Sequence, residues 1–380
     1  MRKRPADCRR SWGRPFRAAA EHPLGAPAGK PAAGRKARPT NAEVLLHNSW
    51  SGGRLIESLL AALLLASLPA VAYTPPKTPW GDPDLEGIWP GNMGVPMQRA
   101  KNLGDRTTLT EEEYAQRVAQ AQKAAAADNE ERPPKDARVG IGPPAYWTER
   151  GKPTRQASLI VDPPDGRIPP LTPEALERRK HARGGLGDPA EWAGRADSYE
   201  DLNLYYRCIT RGVTGSIIPV VYNNGNQILQ APGYVVIRNE MIHEARVIPL
   251  DGRAHVSPAV REYMGDSRGH WEGNTLVIET TNYTDKTSIG SNGVGYNGEG
   301  GRHSDALRTT ERLTRLDDST LNYEVTVDDP QTWTKPWTMR IELKRDSHYQ
   351  YLEYACHEGN YAMRDILSGA RAEEAAKATK

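Results

Sequence analysis

Five of the six histidines in the second half of the chain are the residues best suited to acid–base chemistry. They are His243, His255, His270, His303 and His357. An imidazole exchanges its proton near neutral pH, so imidazoles gathered at one site can act as general acids and bases. None of the five follows the His-Glu-x-x-His spacing of a zinc protease. We therefore expect no cofactor, with a divalent metal bound between distant strands as the open alternative.

Charged and imidazole groups crowd two short stretches of the chain. Residues 266–272 read Asp-Ser-Arg-Gly-His-Trp-Glu, and residues 353–360 hold a carboxylate, a His-Glu pair and an asparagine. Such density suits a polar pocket with acid–base groups, and it is equally typical of a turn held by salt bridges. Both interpretations stay open on the sequence alone.

We select the candidate site residues from these two stretches and from the neighbourhood of His243. The candidate catalytic residues can exchange a proton or stabilise a charge, and they are His243, Glu244, Arg246, Asp266, Arg268, His270, His357 and Glu358. The candidate substrate-binding residues are Trp271, Glu353 and Asn360. We expect the imidazoles of His243, His270 and His357 to surround one pocket, with Arg246 or Arg268 available for an anionic group.

Two short glycine motifs are weak evidence for a function. The G-x-S-x-G motif at residues 265–269 would need a strand before it and a helix after it to form a nucleophile elbow. Here the following residues, 275–281, alternate like a strand, and residues 261–264 are not an apolar strand. The G-x-G-x-x-G motif at residues 293–298 has no βαβ pattern around it and indicates a loop.

The elements that must position the candidate residues are β-strands. Apolar and polar residues alternate at residues 275–281, 321–327 and 337–343, and residues 349–354 form another strand-like run. The short runs at 228–230 and 234–237 flank a turn at 231–233. Such alternation gives a strand one buried and one solvated face, which is typical of an antiparallel sheet. We therefore predict a mainly β domain, folded as a lipocalin-like antiparallel β-barrel or as a sandwich.

The orientation of His243 depends on the register of one strand. If residues 235–247 form one unbroken strand, His243 lies on the same face as Ile237 and points inward among apolar side chains. Such an imidazole would require a hydrogen-bond partner. Glu244 and Arg246 would then lie on the opposite, polar face.

A proline-rich arm with two helices precedes the β domain. Thr110-Glu-Glu-Glu113 is a capping box that predicts a helix to about Ala127. Thr172-Pro173 predicts a second helix start, and Gly184 its end. The predicted organisation is an upstream extension with a signal peptide at residues 1–72, the arm at 73–200, the antiparallel β domain at 201–368 and a C-terminal tail at 369–380.

The predicted signal peptide occupies residues 55–72. Its apolar core, Leu59–Leu68, is shorter than the roughly 20 residues that span a bilayer. Ala70-Val71-Ala72 provides a small-x-small cleavage site before Tyr73. We therefore expect a periplasmic or secreted protein without a membrane span after cleavage.

Cys208 and Cys356 are the two cysteines that remain after this cleavage. An even count in an oxidising compartment predicts a disulfide between them. The alternative is a pair of buried free thiols.

The net charge of +2 combines two unlike parts of the chain. Residues 1–72 carry 12 Lys and Arg residues against 4 acids, so the remainder has 38 bases and 44 acids. A nucleic-acid-binding protein needs a basic face to displace counterions. The composition therefore argues against nucleic acid and favours a small-molecule partner.

Several longer motifs resemble a large family of secreted bacterial proteins without an assigned activity. They include Gly265-Asp-Ser-Arg-Gly-His-Trp-Glu-Gly-Asn274, Val327-Asp-Asp-Pro330 and Tyr354-Ala-Cys-His-Glu-Gly-Asn-Tyr361. The resemblance covers most of residues 80–370 and implies secretion, but not a reaction. Gly87-Ile88-Trp89 is also similar to the G-x-W with which lipocalin-like barrels begin, which implies a barrel.

Three functions remain compatible with the sequence. The first is a periplasmic enzyme of hydrolase or lyase type, with its acid–base site at the rim of the barrel. The second is a non-catalytic module that binds a small, partly apolar molecule among tyrosine and tryptophan side chains, with the arm as a lid. The third is an interaction protein that lays its arm on a partner.

Overall fold

The computed structural model describes residues 73–91, 94–128, 147–180, 196–202, 204–214, 217–218, 222–290 and 302–379. The predicted extension and signal peptide at residues 1–72 lie outside these described residues. The glycine motif at residues 293–298 and the predicted helix end at Gly184 lie outside them as well.

Both predicted helices of the arm are confirmed. Helix α1 spans Glu111–Asp128, and its capping box pairs the Thr110 amide with Glu113 Oε2 at 2.9 Å and the Glu113 amide with Thr110 Oγ1 at 3.2 Å. Helix α2 spans Pro173–Lys180, and Thr172 Oγ1 accepts a hydrogen bond from the Ala175 amide at 3.1 Å. In both helices a threonine hydroxyl therefore satisfies an amide of the first turn that has no partner within the helix.

A third helix, α3, spans Ala362–Ala378 near the C-terminus. It begins seven residues before the predicted tail at 369–380, inside the span assigned to the β domain. Shorter 3-10 turns occur at Lys101–Leu103, Tyr199–Asp201 and Met241–His243. No helix among the described residues is long and apolar enough to cross a membrane.

Ten strands form two antiparallel sheets in the described residues. The four-stranded sheet has the order β1-β3-β4-β5, with β1 at Gly87–Ile88, β3 at Asn226–Ala231, β4 at Tyr234–Asn239 and β5 at Ala245–Pro249. The six-stranded sheet has the order β2-β10-β9-β8-β7-β6, with β2 at Ile160–Asp162, β6 at Asp266–Glu272, β7 at Thr275–Thr281, β8 at Arg308–Arg315, β9 at Thr320–Asp328 and β10 at Trp337–Lys344. The arm supplies β1 and β2, so it joins both sheets as an edge strand.

The inner faces of the two sheets share one hydrophobic core. The four-stranded sheet contributes Ile228, Val235, Ile237 and Ile248, and the six-stranded sheet contributes Leu276, Ile278, Leu313, Tyr323, Val325 and Met339. Along β9 the core positions alternate with polar residues, as the sequence pattern predicts. Trp89, Trp333 and Trp337 are fully buried in the same core.

The prediction of a mainly β, antiparallel fold is confirmed, and a sandwich-like arrangement fits it. Strand β5 lies beside β6, but no ladder joins the two strands within the described part of the chain. The sheets therefore remain separate, and they do not close into a barrel there.

One predicted strand is wrong, and the unbroken strand that would have turned His243 inward does not form. The run at residues 235–247 breaks after Asn239, and Ile242 and His243 adopt φ values of 63° and 47° in a 3-10 turn before β5 begins. The alternating run at 349–354 contains no strand, because its tyrosines and Leu352 bind to the break between β4 and β5 instead of to a sheet.

Candidate functional site

The three predicted imidazoles are all exposed to solvent, and a pocket shared by them stays a prediction. His243 is exposed, and its Nδ1 lies 3.2 Å from the carbonyl oxygen of Tyr354. His270 is exposed on β6, where its Nε2 lies 3.4 Å from Glu272. His357 is exposed on the segment after Cys356. The predicted inward orientation of His243 fails because the positive φ values at the end of β4 turn the chain outward.

The charged stretch at residues 266–272 is a turn-and-strand salt-bridge network. Asp266 accepts hydrogen bonds from Arg268 Nη1 at 2.6 Å, from His255 Nδ1 at 2.9 Å and from the Val256 amide at 3.0 Å. Burial would raise the pKa of Asp266, but these hydrogen bonds outweigh it and lower the pKa. Trp271 packs against the hydrophobic core. The stretch is therefore the salt-bridged strand β6 and not the turn that the sequence indicated.

Arg246 lies in the core between the two sheets and not on a polar face. Its guanidinium makes a bidentate ion pair with Glu311 of β8, at 2.6 and 2.8 Å. Tyr323 of β9 donates a hydrogen bond to the same carboxylate at 2.6 Å. The charge of Glu311 raises the pKa of Arg246 despite its burial. Arg246 therefore connects the sheets and is not available to a ligand.

A different group of residues combines aromatic surface with charge. Trp147, Tyr222 and Tyr354 form an aromatic row: the first two rings meet edge to face with centroids 5.9 Å apart, and the last two lie 6.2 Å apart. Trp147 is 52% exposed, and the two tyrosines are half-buried. Tyr205 and the buried Arg211 lie behind the row, and we call these five residues the tyrosine site.

The buried cation of this site interacts electrostatically with phenol groups and a carboxylate. Arg211 is 1% exposed, and burial lowers its pKa to about 10 although Tyr205, Tyr222, Glu149 and Tyr354 all favour the charged form. Burial likewise raises the pKa of Tyr205 and of Tyr354, and each of these hydroxyl groups shares a hydrogen bond with Tyr222. The phenols therefore stay protonated at neutral pH and can donate hydrogen bonds.

Two glutamates hold the loops around the tyrosine site. Glu149 accepts hydrogen bonds from the amides of Asn223 and Asn224, at 2.8 and 3.0 Å. Glu240 is 1% exposed and accepts from the amides of Gly225 and Leu352, at 3.1 and 2.9 Å. We call this pair the carboxylate anchor.

Tyr349 joins the two halves of the carboxylate anchor. Its hydroxyl donates to Glu240 Oε2 at 2.5 Å and lies 3.4 Å from both carboxylate oxygens of Glu149. Burial, the hydrogen bond to Glu240 and the two negative charges raise the pKa of Tyr349. The anchor therefore fixes the segment after Trp147, the turn after β4 and the segment at 349–354 against one another.

The disulfide prediction is confirmed. Cys208 and Cys356 are bonded, with Cα atoms 5.7 Å apart. Asn360 Nδ2 donates to the carbonyl oxygen of Tyr206 at 2.7 Å and lies 3.4 Å from Cys208 Sγ. The disulfide joins the segment that carries Tyr205 and Arg211 to the segment that carries Tyr354. Asn360, a predicted substrate-binding residue, packs beside this disulfide. The predicted site residues Glu353 and Glu358 are exposed.

Glu244 is the one predicted catalytic carboxylate that lies beside the tyrosine site. It accepts a hydrogen bond from Thr210 Oγ1 at 2.7 Å and another from the backbone of Arg211. Burial raises its pKa, and this effect exceeds that of the hydrogen bonds and of the charge on Arg246.

A pH-dependent stability difference is expected from Glu244. Because its folded pKa is raised, its contribution to stability is full below the unfolded pKa and is lost as the pH rises through the folded pKa. Wild type should therefore lose stability relative to Glu244→Gln as the pH increases from about 4 to 7, as measured by urea unfolding. The exposed Glu353→Gln variant is the control, and equal pH profiles for wild type and Glu244→Gln would contradict the assignment.

Sequence patterns did not reveal Trp147, Glu149, Arg211 or Glu240 as site residues. The residues come from four separated segments, and their proximity depends on the disulfide and on the break after β4.

Comparison with known proteins adds no function. No protein-family model matches the chain, and no curated protein matches it. Within the described residues, no group of three or more His, Cys, Asp or Glu side chains is arranged to hold a metal ion.

Proposed function

We propose that this chain is a periplasmic or secreted protein that binds a small organic molecule at the tyrosine site. The observation that carries the proposal is the aromatic row of Trp147, Tyr222 and Tyr354, whose tyrosines interact electrostatically with the buried guanidinium of Arg211. Half-exposed tyrosine and tryptophan rings offer a large apolar contact area together with polar ends, as ligand sites do. The disulfide is consistent with an oxidising compartment.

The arm completes this site. Trp147 and Glu149 belong to the predicted arm, and Glu149 accepts hydrogen bonds from Asn223 and Asn224 of the β domain. An indole fixed in this way covers one side of Tyr222. This arrangement supports our expectation that the arm contributes to a ligand site, and we further propose that the β domain is a sandwich that carries this site beside the β4–β5 turn.

The enzyme hypothesis has little support from the residues on which it was based. His243, His270 and His357 are exposed, and Arg246 is paired with Glu311. Glu244 is the acid–base candidate that still lies beside the tyrosine site. For this reason we favour a non-catalytic binding module.

A thermal-shift screen tests the proposed function. The secreted chain is heated with a library of small neutral, anionic and cationic organic compounds, since a compound at 100 times its Kd adds about 2.7 kcal/mol of stability. We expect compounds that stabilise wild type and fail to stabilise Trp147→Ala. Trp80→Ala is the matched control, because Trp80 is also an exposed arm tryptophan but bonds to Asp82. The proposal is wrong if no compound stabilises wild type, or if Trp147→Ala keeps every response.

A further inference from the structure

The four-stranded sheet carries apolar side chains on its outer face, which is turned away from the shared core. Leu229 on β3, Val236 on β4 and Val247 on β5 form a row across three strands, because the register pairs Leu229 with Val236 and Val236 with Val247. Leu229 is 43% exposed and Val247 is 59% exposed. Tyr234 is exposed on the same face of β4, two residues before Val236. We call these four residues the outer patch.

The outer patch departs from the alternation of a solvated sheet face. Residues 234–237 are four consecutive apolar residues, and residues 228–229 and 247–248 are apolar pairs. An antiparallel sheet with one wet face alternates apolar and polar residues, whereas strands that are apolar on both faces are typical of a sheet covered on both sides. Within the part of the chain that the structure describes, the side chains of Leu229 and Val247 are left open to solvent. The sequence of these strands therefore fits a face that a further layer covers.

The charges on this sheet favour a second copy of the chain as that layer. Strands β1, β3, β4 and β5 contain no Asp or Glu, and their cations are Arg238 and Arg246. Arg246 is buried in its ion pair with Glu311, and Arg238 lies over the ring of Tyr351, 5.1 Å from the ring centroid. A strongly charged partner would find little counter-charge on such a face, whereas an apolar and almost uncharged face is complementary to itself.

The register of the strands permits a symmetric contact between two such faces. A two-fold axis along the row of Leu229, Val236 and Val247 places each of these residues against its own copy. Arg238 and Tyr234 lie two residues to either side of Val236 on β4, so the same axis brings Arg238 of one copy to Tyr234 of the other. A guanidinium and a phenol ring attract each other. The one cation on the face is therefore matched as well.

The size of the face indicates a dimer of modest affinity. Four strands about 4.8 Å apart, with six residues of about 3.4 Å each, make a face of about 19 by 20 Å. Two such faces in contact remove about 800 Å² of flat area from water, which is at the low end of specific interfaces. We therefore expect a dimer that dissociates on dilution.

We propose that the outer patch is a homodimer interface, in which two copies pack their four-stranded sheets face to face around a two-fold axis along the row of Leu229, Val236 and Val247. Sheets packed in this way keep their strand directions within about 30° of each other and interdigitate the side chains of the facing surfaces. None of these residues belongs to the tyrosine site, so dimerisation and ligand binding can be tested separately.

Sedimentation velocity of the secreted chain, over about a hundredfold range of concentration, tests the dimer. We expect wild type to change from monomer to dimer as its concentration rises. Val247→Lys should weaken this association about tenfold or more, because two lysines then face each other across the axis. Val260→Lys is the matched control, because Val260 is also an exposed valine but lies in the loop between β5 and β6, and it should associate like wild type.

Opposite charges at position 247 test the symmetry of the contact. Val247→Lys and Val247→Glu should each associate weakly alone, and an equal mixture of the two should form a heterodimer because a lysine then faces a glutamate. Added sodium chloride should weaken this mixed dimer and leave the wild-type dimer in place. Both variants should keep the Tm of wild type at the lowest concentration, since Val247 is exposed in the single chain.

A wild type that stays monomeric at every concentration would overturn the proposal, and so would Val247→Lys dimers as strong as those of wild type. If wild type is monomeric and Val247→Lys lowers its Tm, another segment of the same chain covers the face instead. Two charge variants that fail to associate when mixed would overturn the two-fold contact at Val247.

Discussion

Replacement of Glu311 by glutamine is expected to lower the free energy of unfolding by about 3–5 kcal/mol, because it leaves the Arg246 guanidinium buried without its counter-charge. Glu311 is fully buried, and its carboxylate accepts hydrogen bonds from Nη1 and Nη2 of Arg246 and from the hydroxyl of Tyr323. The amide keeps the shape of the side chain, so the loss is one of charge and not of volume. Chemical unfolding in urea measures it.

A surface pair between β6 and β8 provides the matched control. Glu272 bonds to Arg312 at 2.7 Å, but its side chain is 49% exposed, so Glu272→Gln should cost less than about 1 kcal/mol. Similar losses for Glu272→Gln and Glu311→Gln would contradict the assignment of a buried pair. Replacing Arg246 and Glu311 together by methionine should cost less than Glu311→Gln, because no charge is then left in the core; Tyr323 would still lose its acceptor, at about 1–3 kcal/mol.

Alternation predicted the strands well because each of them has one face in the core. Strand β9 buries Leu321, Tyr323, Val325 and Val327, and the residues between them are less buried. The sequence of this strand therefore alternates between apolar and polar residues. The capping residues at Thr110 and Thr172 predicted helix starts for a similarly local reason, since each threonine bonds an amide three residues further on. Structural features that depend on residues close together in the sequence could therefore be predicted.

The break after β4 could not be predicted from alternation. Val235, Ile237 and Met241 are all buried, as an unbroken strand would place them, but Glu240 is buried as well. The chain turns there because Glu240 gathers donors from Gly225, Tyr349 and Leu352, which are up to 112 residues away. The same contacts remove residues 349–354 from any sheet. Long-range hydrogen bonds to one buried carboxylate thus overrode the local pattern in two places.

The candidate site escaped prediction for the same reason. The many charged residues at 266–272 predicted a site there, but Arg268 and His255 are both hydrogen-bonded to Asp266. Arg211 and Glu149 stand apart in the sequence and show no pattern, yet they become neighbours through the fold. The cysteines were the informative residues, because their bond joins two of the segments that build the tyrosine site.

Removal of the Cys208–Cys356 disulfide is expected to destabilise the protein by about 4–5 kcal/mol. The bond closes a loop of 148 residues, and in the chain-entropy model a loop of that length restricts the unfolded chain strongly. A double replacement of both cysteines by alanine should lower Tm by about 10–15 °C, as followed by calorimetry. Cys208 is buried and has a φ of 56°. Alanine also carries a Cβ atom, so the backbone strain at this position is the same in wild type and variant, and the difference in Tm reports on the loss of the disulfide.

Reduction of wild type provides the internal control for this loss. Dithiothreitol should lower the Tm of wild type to that of the double alanine variant, and it should leave the variant unchanged. The disulfide also holds Tyr354 against Tyr222, so reduced protein and the double variant should share a weaker response to compounds that require Trp147. A double variant with the Tm of wild type would mean that the Asn360–Tyr206 hydrogen bond and the carboxylate anchor suffice to hold these segments together.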